Sequence, residues 1–337
     1  MRNRKVDILR FIGLAMIILA HVEPPSMLFQ IRNFDVPLMV LVSGMSFGLT
    51  YKSGEAYLSY VWRRVKRLVF PVWIFLAIYF IALAILYPDS SELDSRTMIN
   101  SFLLIKGIGF VWIIKVFLLV ALISPWIYRF SAKTESNRRY ILIIVGCFLT
   151  WEITRYLTIP MMSGGLKTAS LITHYIIPYG LVFAVGLRVS QFNNRQLHRF
   201  SFISLGALIL IGLGLFLIHG KFIPTQKFKY PPSIYYFSYS FLVSFFLLAH
   251  SRYLERIFER LGLLKVVLFI AQNTIWIYLW HIPLVKIVNL NFILKYLVVL
   301  FTAVIIAYIQ VCFVNSFLLM RTSNKRLRKN IATILTG

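Results

Sequence analysis

Acidic residues are scarce in this chain: eleven Asp and Glu stand against 36 Lys and Arg in 337 residues. Charge of either sign accounts for only 14% of the sequence, and the mean hydropathy is +0.78. No soluble domain of this size tolerates that balance. There are only two cysteines, Cys147 and Cys312, both inside apolar stretches where they read as buried thiols. They lack ligand spacing, which excludes a disulfide framework and a thiolate metal centre. Gly-rich phosphate loops, metalloprotease helix motifs and nucleophile elbows are also missing, so the common soluble nucleotide-binding and hydrolytic sites are excluded. No internal repeat or low-complexity linker divides the sequence. It reads as one transmembrane domain over 1–320 followed by a basic cytoplasmic tail over 321–337.

Apolar runs are abundant, since 59% of the residues are hydrophobic. Ten stretches approach spanning length, near 8–24, 36–51, 68–87, 108–128, 140–157, 172–190, 201–219, 232–250, 266–288 and 293–317. The expected fold is an all-α, polytopic integral membrane protein of about ten helices. A net charge of +25 would suit a nucleic-acid binder, but the basic residues are dispersed between apolar stretches and no basic domain collects them, so no nucleic acid is expected as a partner. Of the Lys and Arg, 24 fall in the amino terminus, alternate loops and the carboxyl tail. The positive-inside rule then places both termini in the cytoplasm. The first stretch is read as a retained helix, not a cleaved signal, because Asp7 and Arg10 lie within it and no small-residue cleavage site follows.

That first stretch carries the strongest functional signal. Arg10 and His21 are eleven residues apart, about three turns and 16 Å along a helix, and so point the same way. Asp7, three residues before Arg10, is placed to partner it. Ionisable groups inside a span mark function by default. Glu23, Asp35, Lys115, Glu152, Arg155, His174 and His281 crowd toward the external side, while Arg63, Arg64, Lys66 and Arg67 precede the third stretch on the inner side. A cationic inner mouth with histidines near an outer site suits a group-transfer enzyme with a charged cytoplasmic donor.

These residues carry a family resemblance. Arg4-x-x-Asp7-x-x-Arg10 with His21 resembles the first helix of the acyltransferase family 3 membrane proteins. Further pieces follow in order: Phe34-Asp35-Val36-Pro37-Leu38 with Ser43-Gly44, then Arg63-Arg64-Val65-Lys66-Arg67-Leu68 ending in Pro71. Next come Phe110-Val111-Trp112, Gly180 and Gly186, Tyr230-Pro231-Pro232, and Ile277-Tyr278-Leu279-Trp280-His281-Ile282-Pro283. The likeness extends over nearly the whole chain and is to the stand-alone members, without an extracytoplasmic hydrolase-like domain. It implies an O-acyltransferase of the bacterial inner membrane that moves an acetyl group from acetyl-CoA to a hydroxyl of a cell-envelope carbohydrate, a surface polysaccharide or a lipid-linked glycan. Arg10 and His21 are then the essential pair.

The chemistry gives each residue an expected role. His21 takes the proton of the attacking hydroxyl or accepts the acyl group itself, alternatives that the sequence leaves open. Arg10 steadies donor charge or an oxyanion. Asp35 and Glu23 are candidate orienting carboxylates, and Asp7 orients Arg10. Arg63, Arg64 and Arg67 are candidates for coenzyme phosphates, as guanidinium groups make bidentate phosphate contacts. His281, Tyr278, Trp112 and Lys115 are candidates for the acceptor side, with a kink expected at Pro283. No metal is expected. Each assignment has a plainer reading: an edge ion pair for Asp7 and Arg10, a helix cap for Asp35, orientation charge for the arginines. Tyr51, Trp62, Trp151 and Tyr230 read as interfacial anchors, and the tail from Arg321 to Lys329 as a solvated flank. The rival function is a proton-coupled transporter or flippase of a glycan precursor, which would often show repeats or paired broken spans. A purely structural subunit would leave the polar face of the first helix without a purpose.

Overall fold

The structure, a computed structural model, describes residues 3–51, 54–105, 107–162 and 167–336, with the backbone alone at 167, 168 and 171. Arg2, Lys52 and Lys106 of the charge pattern lie outside the described residues, as does the side chain of Lys167. Every regular element among the described residues is a helix. In order come α1 (Arg4–His21), α2 (Ser26–Ile31), α3 (Asp35–Thr50), α4 (Tyr57–Leu86), α5 (Ser95–Phe102), α6 (Trp112–Lys133), α7 (Asn137–Thr158) and α8 (Lys167–Val189). Then follow α9 (Asn194–His219), α10 (Ile234–Ala249), α11 (Ser251–Arg260), α12 (Leu264–Gln272), α13 (Thr274–Ile287), α14 (Phe292–Phe313), α15 (Leu319–Arg321) and α16 (Lys325–Leu335).

Each of the ten apolar stretches falls on a helix or a pair of helices. Among the described residues seven helical runs are long and apolar enough to cross a membrane, or up to nine if each of two bent pairs is one span. The remaining stretch is α1, whose eighteen residues include Arg4, Lys5, Asp7 and Arg10. Large apolar side chains stand exposed along α4, α9 and α14, among them Ile85, Leu210, Leu217, Phe301 and Ile309. Such a surface would aggregate in water, and lipid is its natural solvent. Cys147 and Cys312 also turn outward from α7 and α14, which corrects their reading as buried thiols.

The second bent pair departs from the expected single ninth span. The chain turns by 88° between α12 and α13, at Asn273, and α13 runs on through Pro283. The side-chain amide of Asn273 donates to the Phe269 carbonyl at 2.8 Å. An Asn that bonds its own backbone competes with helix continuation, so the break falls there and not at the proline.

Two compact units divide the chain. The first comprises Met1–Ala20, Pro25–Ser53 and Leu122–Leu268. Within it α3 and α8 meet backbone to backbone: a Cβ on Gly44 would lie 2.3 Å from the Phe183 carbonyl oxygen, and one on Gly186 2.1 Å from that of Leu41. Small residues at such crossings let apolar helices gain van der Waals contact where no hydrophobic drive exists between them. At the far end of α8, Arg188 fixes the turn between α6 and α7, donating to Ser131 Oγ at 3.0 Å, to Asn137 Oδ1 at 2.6 Å, and to the Ser131 and Thr134 carbonyls.

The second unit comprises His21–Pro24, Gly54–Ala121 and Phe269–Gly337. The basic run of its tail, Lys325 to Lys329, is exposed as its charge suggests, while the end of α16 beyond it docks onto the unit. The last carbonyls of α16, which a helix end leaves without partners, are taken up by the unit: Trp276 Nε1 donates to Ile334 O at 2.9 Å and Gln310 Nε2 to Leu335 O at 2.7 Å. Trp280 Nε1 holds the other end of the Gln310 amide at 2.7 Å, and Lys66 Nζ reaches Asn330 at 3.0 Å.

Two stability outcomes follow, each read by thermal unfolding in detergent. Gly186→Ala is expected to lower the midpoint by a strain of roughly 1–3 kcal/mol, because its methyl group meets backbone and has no flexible side chain to displace. Truncation after Arg321 orphans the Trp276 and Gln310 donors and is expected to cost about 1–3 kcal/mol for each. An unchanged midpoint in the truncated protein would show that α16 is only loosely held.

Candidate active site

In the second unit, His21 ends α1 and meets His281 of α13. His21 Nδ1 lies 2.8 Å from His281 Nε2, with ring centroids 5.0 Å apart and planes within 19°. His281 is fully buried, and its Nδ1 is hydrogen-bonded to the Tyr278 carbonyl. A carbonyl only accepts, so Nδ1 of His281 carries the proton and, with one proton on the ring, its Nε2 accepts from His21. Nδ1 of His21 is therefore the protonated nitrogen, and Nε2 is the nitrogen that bears the lone pair. The geometry thus selects a tautomer suited to a base.

Packing around the pair is aromatic. The Phe110 ring meets His21 edge-on at 4.8 Å, and the Tyr278 hydroxyl donates to the Phe110 carbonyl at 2.6 Å. Phe110 is held by a tight loop between α5 and α6. Gly107 there has φ +48°, and a Cβ on it would meet Ser101 Oγ at 2.0 Å. Ser101 Oγ in turn accepts from Ile108 N at 3.0 Å. Lys115 of α6 reaches back to the Ile105 carbonyl at 3.4 Å. Trp112, at the start of α6, closes the same loop. Beyond the Phe110 ring, 5.6 Å from its centroid, stands Lys286 Nζ, which pairs with Glu92 at 2.6 Å. The Tyr79 hydroxyl donates to the same carboxylate at 2.6 Å. The sequence pattern assigns Lys286 no role. Its partners lie 194 and 207 residues away, and no local pattern announces them.

Glu23 sits two residues past the end of α1, exposed, with φ +57°. The group on Nδ1 of His21 is the His281 ring. In the same unit the basic run of α4 is partly engaged: Arg63 pairs with Glu55, and the guanidinium groups of Arg63 and Arg64 stand 5.9 and 5.1 Å from the Tyr60 ring centroid. Arg67 is exposed.

The other polar residues of the sequence reading lie in the first unit. Arg10 Nη1 is 3.4 Å from Asp7 Oδ1, as the spacing predicts, and Nη2 donates to Ser46 Oγ at 2.5 Å. Arg4 does not join them but pairs with Glu255 and Glu259 of α11 at 2.9 and 3.1 Å. Asp35 opens α3, and Arg32 Nη1 donates to its Oδ2 at 2.8 Å while Lys229 Nζ lies 3.6 Å from Oδ1. All three are nearly fully buried. Burial pushes the Lys229 amine below the ordinary lysine range, partly offset by Asp35 and reinforced by Arg32. Arg155 pairs with Glu152, which also accepts from Ile234 N at 2.7 Å and so holds the start of α10. His174 is bonded to Thr158 at 2.7 Å. Trp151, read as an interfacial anchor, is instead buried and donates to the Pro232 carbonyl at 2.8 Å. Its indole N–H requires a partner once it leaves water.

Compared with known proteins, the chain matches a family model described as an acyltransferase domain over residues 3–321. No curated protein and no solved structure matches it. The match runs from the start of α1 to the end of α15, so the histidine pair and the Asp7–Arg10 pair both lie inside the acyltransferase domain, and the chain belongs to acyltransferase family 3.

Proposed function

We propose that this membrane acyltransferase is an acetyl-CoA-dependent O-acetyltransferase of the inner membrane, with both termini cytoplasmic, acting on a hydroxyl of a cell-envelope carbohydrate. The observation that supports it most is the pair of histidines, which leaves His21 Nε2 as a base held in one tautomer. An alcohol is a weak nucleophile at neutral pH, and a positioned imidazole that removes its proton in the transition state contributes about 10²–10⁴ in rate.

On this reading the hydroxyl proton passes to His21 Nε2 as the oxygen attacks the thioester carbonyl. The tetrahedral adduct collapses with cleavage of the C–S bond, and the departing thiolate takes the proton back from Nε2. His281 accepts from His21 Nδ1 throughout, as orienting partners do for other working imidazoles. It is a positioning residue, and Tyr278 and Phe110 hold the two rings in register. The donor's phosphates fall to Arg63, Arg64 and Arg67. Arg10 lies about 16 Å along α1 from His21, too far to reach the same oxyanion, so its part is with donor charge.

The transporter reading draws support from the two bent helix pairs, because broken helices build transport sites. Those pairs are consecutive, 234–260 and 264–287, whereas transporter repeats place them in corresponding positions of two halves. Acyl transfer remains the better account.

Membranes given radiolabelled acetyl-CoA and a glycan acceptor test the proposal. His21→Ala is expected to lose at least about 10²-fold in transfer, and full transfer by that variant would remove the assigned base. Glycan flux through proteoliposomes without acyl-CoA would favour the transporter instead. His281→Gln, which keeps an acceptor oxygen, is expected to retain several-fold more kcat than His281→Phe, with KM little changed and the pH profile of the two variants displaced from each other. Equal loss in both, with the wild-type profile preserved, would make His281 a packing residue only.

A further inference from the structure

In the first unit the chain bends by 59° between α10 and α11. The break falls at His250, whose Nδ1 lies 2.9 Å from the Phe246 carbonyl and, since a carbonyl only accepts, donates to it. At its other end α11 closes on Gly262, with φ +69°, whose N–H reaches the Glu259 carbonyl at 3.0 Å while Leu263 N reaches that of Phe258 at 2.9 Å. A left-handed glycine with these two bonds stops a helix sharply. The ten residues of α11 are thus set at an angle to the apolar α10.

At 100° per residue, α11 sorts into three arcs. Arg252, Arg256 and Arg260 recur every four residues and form one stripe about 80° wide. All three are exposed, and none has an acid within ion-pair distance among the described residues. Glu255 and Glu259, the two acids of the helix, are taken by Arg4 of α1. Beside them Phe258 meets Phe11 of α1 edge-on at 5.6 Å, so that arc is covered. The last arc is apolar and open: Tyr253 and Leu261 are 57% and 63% exposed, with Ile257 between them partly so. Four arginines face two carboxylates here, and the surface is cationic.

Orientation charge needs only to lie near the end of a span and can occupy any side of a helix. A stripe of three arginines bordering an exposed apolar arc is more particular. It is the form of a helix that lies in the headgroup layer, its apolar side toward the acyl chains and its cations on phosphate. Guanidinium groups suit that phosphate because they bind it through two parallel N–H bonds. The bend at His250 turns α11 away from the direction of α10, as such a placement requires.

We infer that α11 is a docking surface for anionic phospholipid, with Tyr253, Ile257 and Leu261 set against the lipid and Arg252, Arg256 and Arg260 on the headgroups. Contacts of Glu255, Glu259 and Phe258 with α1 tie the docked helix to the start of the chain. The inference stands independently of the acyl-transfer reading.

The test is binding, with no turnover. Purified full-length protein in detergent is titrated with dioleoyl phosphatidylglycerol and, separately, with zwitterionic dioleoyl phosphatidylcholine, reading the unfolding midpoint. Phosphatidylglycerol is expected to give the larger, saturable rise. Changing all three arginines of the stripe to Gln leaves Arg4 with its two carboxylates, and is expected to weaken the phosphatidylglycerol response at least about tenfold, each arginine being worth about fivefold. Arg256→Gln alone, a single exposed position, is expected to weaken it about fivefold and decides the matter where the triple variant fails to fold. Changing Lys325, Arg328 and Lys329 of α16 to Gln removes as much charge elsewhere and is expected to leave the response in place. If the wild type shows no preference for the anionic lipid, or if the two triple variants weaken it equally, net charge and not α11 governs the response and the inference falls. It falls also if the α11 variants keep the wild-type response, and loss of a dimer by light scattering in those variants would then make α11 a contact between copies.

Discussion

Water is absent from the core of a bilayer, so a charged or hydrogen-bonding group there is satisfied by the protein or by a ligand. This chain meets that constraint by drawing several of its few acids into shared donor networks. Asp35 takes Arg32, Lys229 and Val36 N. Glu92 takes Lys286 and Tyr79. Glu152 takes Arg155 and Ile234 N, and Glu255 and Glu259 share Arg4. With eleven acids for 36 bases, Asp35, Glu92 and Glu152 become nodes that join separate segments. Arginine can also be held without any carboxylate, as Arg188 is by the Ser131 and Asn137 side chains and the carbonyls of Ser131 and Thr134.

The histidine pair likewise has no carboxylate on the bonded ring nitrogens. In many sites a carboxylate orients the imidazole and stabilises its charged form. Here a second imidazole stands in that place, itself oriented by the Tyr278 carbonyl. A neutral partner fixes the tautomer of His21 as firmly as an acid would. It contributes less to an imidazolium, since no negative charge faces the ring. In the proposed reaction such a base holds a proton briefly, which suits an alcohol attacking a thioester, where the proton is returned within the same turnover.

Sequence and structure agree best where the signal is local. Hydrophobic runs of spanning length place every long helix, and the three-residue step from Asp7 to Arg10 gives their ion pair. Contacts between distant segments were not legible. His21 and His281 are 260 residues apart. Membrane helices are apolar on all faces, so periodicity does not reveal which face meets a neighbour. The tail divides in the same way: Lys325 to Lys329 is exposed as its charge suggests, but docking of α16 depends on backbone carbonyls at Ile334 and Leu335, which composition does not encode. Asn273 was overlooked because Pro283 is the stronger breaker by rule. Proline near the middle of α13 is tolerated there, as in other buried membrane helices, while the Asn amide closes α12.

Lys229 shows what a better reading would have required. Its neighbours Phe228, Tyr230, Pro231 and Pro232 place it in an aromatic and proline-rich stretch, and it is buried where Lys221 and Lys227 are exposed. A lysine without local acid or polar neighbours is costly to bury, so its burial marks a distant partner. That partner is Asp35, an acid two residues before Pro37 at the start of α3. Matching isolated cations in apolar loops to isolated acids at helix starts is a rule the sequence alone could support. It brings Arg32, Asp35 and Lys229 together without coordinates. It would not have found the histidine pair, because neutral rings carry no charge imbalance to resolve and their meeting depends on how α1 ends and α13 begins.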